Sequence, residues 1–218
     1  MSLTPFQIEQ LFLFTKKKMV HYYDLQVELV DHLANMIEDI MVKDPKVGFE
    51  TALNQAYASF GLFGFSHIVQ EKQNALQAKY KKMWWKELKD QFRWPEIVLS
   101  LLILISVWTI VNIVKGEFLW TALVIVWLLF WIINIRLMRQ PRKSGKGLLM
   151  LQCNPVANSL FNFFLQFLGW KLITSGNIVI AVVVCVSAAI IQIATFRLLR
   201  KIRKEARQLF PEVFFKTA

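Results

Sequence analysis

The sequence predicts an all-α protein in which a cytoplasmic helical bundle is followed by a four-helix transmembrane bundle. Of its 218 residues, 56% are hydrophobic, including eight Trp and eighteen Phe, which is more than an ordinary soluble domain contains. The first part of the chain shows apolar residues at helical spacing. The second part contains four uncharged runs, each about long enough to cross a hydrocarbon core, for which a helix needs roughly 20 residues. These runs lack the alternation of barrel strands, so helices are expected.

The domain organisation follows from these runs. We predict, in chain order, a cytoplasmic helical domain at 1–80, an amphipathic interfacial junction at 81–96, four transmembrane helices within 97–199 (about 97–114, 118–135, 148–170 and 178–196) and a basic cytoplasmic tail at 200–218. In the junction, tryptophans and basic residues fall on different faces, as in a helix that lies on a membrane. A plain continuation of the preceding helix would give the same amphipathic pattern.

Charge is distributed unevenly along the chain. Residues 1–93 contain 12 Lys/Arg against 11 Asp/Glu, and residues 94–218 contain 14 against 4, so the net charges are +1 and +10. Outside the spans, the basic residues cluster before the first run, after the second and after the fourth, whereas the other two loops hold one base each, Lys115 and Lys171. By the positive-inside rule, both termini and the loop between the second and third spans are cytoplasmic. The first residues lack a basic and apolar leader pattern, so we expect no cleavable signal.

The cytoplasmic part contains recognisable helix boundaries. Thr4 is predicted to be an N-cap with Pro5 at the first helical position and Gln7 completing a capping box. A second, amphipathic helix is expected over about 19–42 and a third over about 49–60, with spaced alanines that allow close packing. Further boundary signals are a left-handed C-cap at Gly61 and a capping serine, Ser66, before a long fourth helix.

Residues 21–39 of the second helix contain two histidines and five carboxylates. Any amphipathic helix collects its polar residues on one stripe, so this cluster is mainly its solvated face. A metal site would combine Glu28 and His32 with His67 and Glu71 of the fourth helix. We do not favour it, because such sites usually pair Glu and His three residues apart and repeat the pair on a second helix. No metal and no cofactor are therefore predicted.

Two short motifs in the same region resemble the HAAS family, small α-helical domains of bacterial membrane proteins. They are "ELVDHL" at 28–33 and "ALNQAYASFG" at 52–61, and the resemblance covers about residues 20–78. The family is usually fused to hydrophobic spans and is associated with PadR-type transcriptional regulators and other signalling partners. The resemblance therefore implies a bacterial inner-membrane protein with a scaffold or signalling role, and it singles out Glu28, Asp31 and His32 as a motif for partner binding or helix packing. The chain departs from the family pattern at "GLFGFSHI", where a polar turn is more usual.

The third predicted span has an unusual polar face, which recurs every four residues at Asn154, Asn158, Asn162 and Gln166. Polar groups are costly in lipid unless they face protein or water. This face could line a ligand cavity, or it could form interhelical hydrogen bonds with Asn112, Asn134 or Gln192. Alternatively, Asn154 caps a shorter, partly interfacial helix that begins at Pro155.

Basic residues near the predicted spans are expected to contact anionic lipid headgroups, at about 1 kcal/mol per base near the surface. These residues are Arg136, Arg139, Arg142, Lys143, Arg200 and Lys201. Direct nucleic-acid binding is not expected, because these bases lie within a turn or two of the membrane.

The residues point to a non-enzymatic protein. The sequence contains no Gly-rich phosphate loop, nucleophile elbow or H-E-x-x-H motif. No charged residue interrupts a span, which disfavours a transporter or pump. The two cysteines, Cys153 and Cys185, form no C-x-x-C pair and are expected to be buried, inert thiols.

Two functional hypotheses remain. The first is a membrane-anchored interaction or signalling module with a cytosolic protein partner, for which a transcriptional regulator is one candidate. The second is a small membrane sensor or carrier that binds a lipid or small molecule along the polar face of the third span.

Overall fold

The computed structural model describes residues 3–113, 116–140, 146–153 and 157–214. At 116–117, 119–120 and 157–162 it describes the backbone but not the side chains. Within these ranges the chain is helical and contains no β-strand, only an isolated bridge between Tyr22 and Gly147. The all-α prediction is therefore confirmed. The helices are α1 (Pro5–Lys17), α2 (Tyr23–Lys43), α3 (Phe49–Ala58), α4 (Ser66–Asp90), α5 (Glu96–Ile113), α6 (Gly116–Met138), α7 (Leu149–Gln152), α8 (Ala157–Thr174), α9 (Ile178–Leu209) and α10 (Pro211–Phe214).

The chain forms two compact units, and each consists of segments that are separated in sequence. The first unit comprises Met1–Leu76, Gln140–Cys153 and Arg207–Ala218. The second unit comprises Gln77–Arg139 and Asn154–Ala206. The polypeptide therefore passes between the units four times.

Helix α1 begins with the capping box that the sequence predicts. The Thr4 amide donates to the Gln7 Oε1 at 2.8 Å, and the Gln7 amide donates to the Thr4 hydroxyl at 3.3 Å. After α1, Met19 adopts a φ of 68°, in the left-handed region that L residues rarely enter. This turn reverses the chain, so α2 begins at Tyr23 and not at the predicted residue 19.

The core of the first unit lies between α2 and its neighbours α1 and α3. The fully buried side chains of α2 lie at helical spacing, and the small residues Ala52 and Ala56 bring α3 close to them. An aromatic cluster closes the end of this core: Tyr57 packs edge-on against Phe14 and Phe65, with ring centroids 5.2 and 5.0 Å apart. The buried residues of α2 are Leu25, Leu29, Val30, Leu33 and Ile37.

Residues 148–153 also belong to this core, which corrects the predicted third span. The sequence predicts one helix from 148 to 170, but the structure has the short α7 and a separate α8. Leu148, Leu149 and Leu151 are at most 1% exposed. An apolar run has the same composition whether protein or lipid covers it. Hydrophobicity alone therefore assigned residues 148–153 to a span, although protein covers them.

Three helices of the second unit are long and apolar enough to cross a membrane. They contain the windows Glu96–Ile113, Thr121–Met138 and Ile178–Leu209. In the first two windows only 6% of residues are buried, because large aliphatic side chains of α5 and α6 point outwards. Such wide apolar exposure is unfavourable in water and indicates a membrane protein. The fourth span, α8, stays a prediction; its described apolar part is the shorter Phe163–Thr174.

Helix α9 is the most buried of the three candidate spans and runs well past its predicted end at 196. Its 32 residues extend about 48 Å, compared with about 30 Å for a hydrocarbon core. A single buried seam follows it at alternating steps of three and four residues, the spacing of closely packed helices. The seam consists of Ala181, Cys185, Ala188, Gln192, Thr195, Leu199, Ile202 and Ala206.

The predicted junction does not form a separate helix. Residues 81–90 continue α4 without interruption, which is the plain continuation considered above. Within the second unit, the Trp84 indole donates to the Thr195 hydroxyl of α9 at 3.1 Å. A position of this segment at a membrane interface stays a prediction.

Candidate functional site

The polar face of α2 is divided between residues that hold the first unit together and residues that remain on its surface. Asp24 belongs to the first group. Its Oδ1 accepts from the Leu149 amide at 2.8 Å, and its Oδ2 accepts from the Met150 amide at 3.0 Å. Asp24 thereby accepts hydrogen bonds from two N–H groups of the first turn of α7, which have no partner within the helix. A carboxylate is favourable there because the N-terminus of a helix has a partial positive charge.

Burial raises the pKa of Asp24 above its ordinary value, although backbone hydrogen bonds to its carboxylate act in the opposite direction. Burial likewise raises the pKa of the Cys153 thiol, and the charge of Asp24 adds to this effect. Both Cys153 and Cys185 are free and buried, as the sequence predicts. Sequence reasoning missed the role of Asp24, because its amide partners lie 125 residues along the chain and nothing local marks them.

Glu28 links α2 to α4 inside the first unit. Its Oε2 lies 2.5 Å from the Lys72 Nζ, and both side chains are less than half exposed. The metal hypothesis required Glu28 beside His32, but Glu28 pairs with a lysine, and His67 lies 3.9 Å from Glu71 on the exposed side of α4. In the described part of the chain, no three His, Cys, Asp or Glu side chains converge as metal ligands.

Asp31 and His32 are exposed on α2. The buried arc of α2 is centred near Leu33 and Ile37, and His32 lies roughly a quarter turn away from that centre. Neither Asp31 nor His32 forms a hydrogen bond or ion pair with another residue that the structure describes.

A groove of about 520 Å³ lies between α1 and the start of α2 in the first unit. Ile8, Phe12 and Leu13 supply its apolar lining, and the charged residues at its rim include Lys16 and Lys146. The Lys146 ammonium lies 3.9 Å from the ring centroid of Tyr23, which also lines the groove. The groove depends on residue 146, far from α1 in sequence, so no sequence pattern predicts it.

The second unit contains ion pairs between α9 and other helices. Glu87, almost fully buried, pairs with Lys201; Arg197 donates to Glu96 at 2.6 Å; and Lys79 donates to Glu205 at 2.7 Å. Lys201, a predicted lipid contact, is therefore engaged within the protein.

The other predicted lipid contacts divide into two groups. Arg136, Arg139 and Arg200 are exposed, as headgroup contacts require. Arg142 and Lys143 lie outside the described residues.

Of the predicted polar face of the third span, only Gln166 has a described side chain. Asn154 lies outside the described residues, and the side chains of Asn158 and Asn162 on α8 are likewise outside them. Gln166 is 5% exposed and lines a cavity of about 180 Å³ together with Gln192, which is 7% exposed.

Neither of the other two proposed partners, Asn112 and Asn134, hydrogen-bonds to Gln166, the described member of this face. The Asn112 Nδ2 donates to the Trp108 carbonyl of its own helix at 2.7 Å. The buried Asn134 Oδ1 accepts no hydrogen bond from the described residues.

Comparison of the chain with protein-family models, with curated proteins and with solved structures gave no match. The HAAS resemblance therefore rests on the two quoted motifs alone.

Proposed function

We propose that this chain is a membrane-anchored, non-enzymatic interaction or signalling module. Its first unit would act as a HAAS-like domain that binds a cytosolic protein, for which a transcriptional regulator is one candidate. The second unit would anchor it in the bacterial inner membrane, with both termini cytoplasmic and anionic headgroups around the exposed arginines.

The observation that carries the proposal is the state of the "ELVDHL" motif in α2. Its apolar members Leu29, Val30 and Leu33 are buried in the core, and Glu28 is engaged with Lys72. Asp31 and His32 are adjacent and exposed, and neither forms a hydrogen bond or ion pair with a described residue. Exposed polar side chains that form no such bond within the protein are available for recognition by a partner.

The composition of the first unit supports four membrane crossings. Residues 3–76, 146–153 and 207–214 pack into one compact unit. In the proposed arrangement, all three segments would therefore lie on the same side of the membrane. A chain that leaves one side and returns to it must cross an even number of times. Because α9 is a candidate span between the second and third of these segments, we propose α8 as the other crossing of that pair. Its 18 residues extend about 27 Å and lie at the short end of the range of about 17–25 residues for spanning helices.

Partner binding is testable by site-specific crosslinking of the full-length protein. A photoreactive amino acid at Asn35, exposed on the same face of α2, is expected to capture a defined cytosolic protein in cells. Asp31→Ala and His32→Ala should abolish that adduct. The matched controls Glu50→Ala and His67→Ala change exposed residues on other helices and should leave it intact. An adduct that persists in both α2 variants would refute the proposed surface.

Membrane topology is testable by cysteine labelling in a background without Cys153 and Cys185. A cysteine at Ser175, exposed between α8 and α9, should react with an impermeant maleimide from the periplasmic side. A cysteine at Asp44 in the first unit should react only after permeabilisation. Labelling of both positions from the same side would contradict the four-span arrangement.

A further inference from the structure

The second unit contains two buried carboxamides with no described hydrogen-bond partner. Gln166 of α8 and Gln192 of α9 are at least nine-tenths buried and line the same cavity. Neither side chain hydrogen-bonds to another residue in the described part of the chain. Buried polar groups are rarely left unpaired, because the lost hydrogen bonds to water are not replaced. Two such groups on one cavity therefore indicate a molecule that supplies the missing bonds.

The rest of the lining defines what this molecule is. Among the described residues, aliphatic side chains of α5 and α6 such as Val107, Val111 and Leu123 form most of the wall, and none of the lining residues is charged. An ion would have no counter-charge here, so the ligand is uncharged. The volume of about 180 Å³ slightly exceeds that of a cavity of about 150 Å³ that holds benzene in another protein. The cavity thus accommodates one six-membered ring with a small substituent.

The outer wall indicates the route of entry. Ile110 of α5 and Val126 of α6 line the cavity and are also 47% and 46% exposed on the outside of their helices. Both helices are candidate spans, so this opening faces the hydrocarbon region of the membrane. A ligand that enters here dissolves in lipid first.

We infer that this cavity binds the ring of an uncharged, lipid-soluble phenol, with Gln166 and Gln192 donating to and accepting from its hydroxyl. Each carboxamide offers both a donor and an acceptor, and a phenolic hydroxyl uses one of each. A substituent on the ring would extend between α5 and α6 into the lipid. The inference concerns the second unit alone and does not depend on partner binding by the first.

The test compares two probes of nearly equal size, 4-fluorophenol and fluorobenzene, with the full-length protein in micelles. Fluorine NMR separates protein-bound probe from probe in protein-free micelles. We expect saturable binding of 4-fluorophenol, about tenfold tighter than that of fluorobenzene, which corresponds to about 1.4 kcal/mol of hydrogen bonding. Equal binding of the two probes would overturn the inference. Absence of saturable binding would also overturn it and would indicate a cavity filled by water or lipid tails.

Variants separate the two carboxamides from the space they enclose. Gln166→Leu and Gln192→Leu should each reduce the preference for 4-fluorophenol over fluorobenzene. Ala189→Leu fills the cavity without changing either amide, so it should weaken the binding of both probes. Val183→Leu, on the outside of α9, is the matched control and should bind as wild type. An unchanged preference in both glutamine variants would refute the assigned roles. The wild-type comparison of the two probes remains decisive even if a variant fails to fold.

Discussion

Replacing Asp24 by alanine should release α7 from the first unit. The carboxylate satisfies the amides of Leu149 and Met150, at 2.8 and 3.0 Å, and both residues are at most 5% exposed. A buried amide left without an acceptor costs about 1–3 kcal/mol. Two such losses are partly offset, because the substitution also removes a carboxylate whose burial is unfavourable, as its raised pKa indicates. We therefore expect a net loss of about 2 kcal/mol.

Hydrogen exchange measured by mass spectrometry reads this loss directly. A net loss of about 2 kcal/mol corresponds to roughly thirtyfold faster exchange of the peptide that covers 148–153, if opening limits exchange. Asp24→Asn keeps one oxygen but turns an N–H towards the second amide, so its effect should be similar or slightly smaller. Asp39→Ala, an exposed change on the same helix, is the control. Unchanged protection of 148–153 in Asp24→Ala would refute the assigned role of the carboxylate.

Three further predictions concern stability. Lys201→Ala should destabilise the protein by about 2 kcal/mol in thermal unfolding, because it leaves the Glu87 carboxylate buried and unpaired. Glu87→Gln should destabilise it clearly less, and a larger loss in Glu87→Gln than in Lys201→Ala would contradict this prediction. Gly169→Ala would bring its Cβ to 2.7 Å from the Cys185 Sγ, so it should cost about 1–3 kcal/mol, and less in a Cys185→Ala background; equal costs in both backgrounds would show that this contact is irrelevant. The raised pKa of Asp24 means that ionising this carboxyl costs more free energy in the folded than in the unfolded state. The stability of the wild type relative to Asp24→Asn should therefore fall as pH rises above about 4, the ordinary carboxyl pKa, and level off above the raised pKa of the folded state. Urea unfolding of both proteins across that range measures the difference, and a rise with pH would contradict the direction of the shift.

Local signals in the sequence predicted the helices of the first unit well. The capping box at Thr4 and Gln7 involves residues three apart, and Gly61 adopts the predicted left-handed φ, at 74°. The start of α2 was misplaced by four residues because its position depends on the left-handed Met19, a conformation that methionine does not signal.

Features that depend on distant segments could not be predicted. The run at 148–153 has the composition of a span, but contacts with distant residues, among them the hydrogen bond from Leu149 to Asp24, bury it within the protein. The polar face at Asn158, Asn162 and Gln166 was visible in the sequence. The cavity was not, because Gln192 joins it from another helix through three-dimensional packing.

The three-segment composition of the first unit has a consequence for biosynthesis. Val213 is fully inaccessible to solvent in a core that begins with Leu11. The N-terminal helices leave the ribosome first, yet their packing surface is incomplete until the intervening candidate spans and residue 213 have been translated. The leucines of this core therefore remain partly uncovered while the intervening helices are being made. The first unit can therefore complete its core only after almost the whole chain has been made.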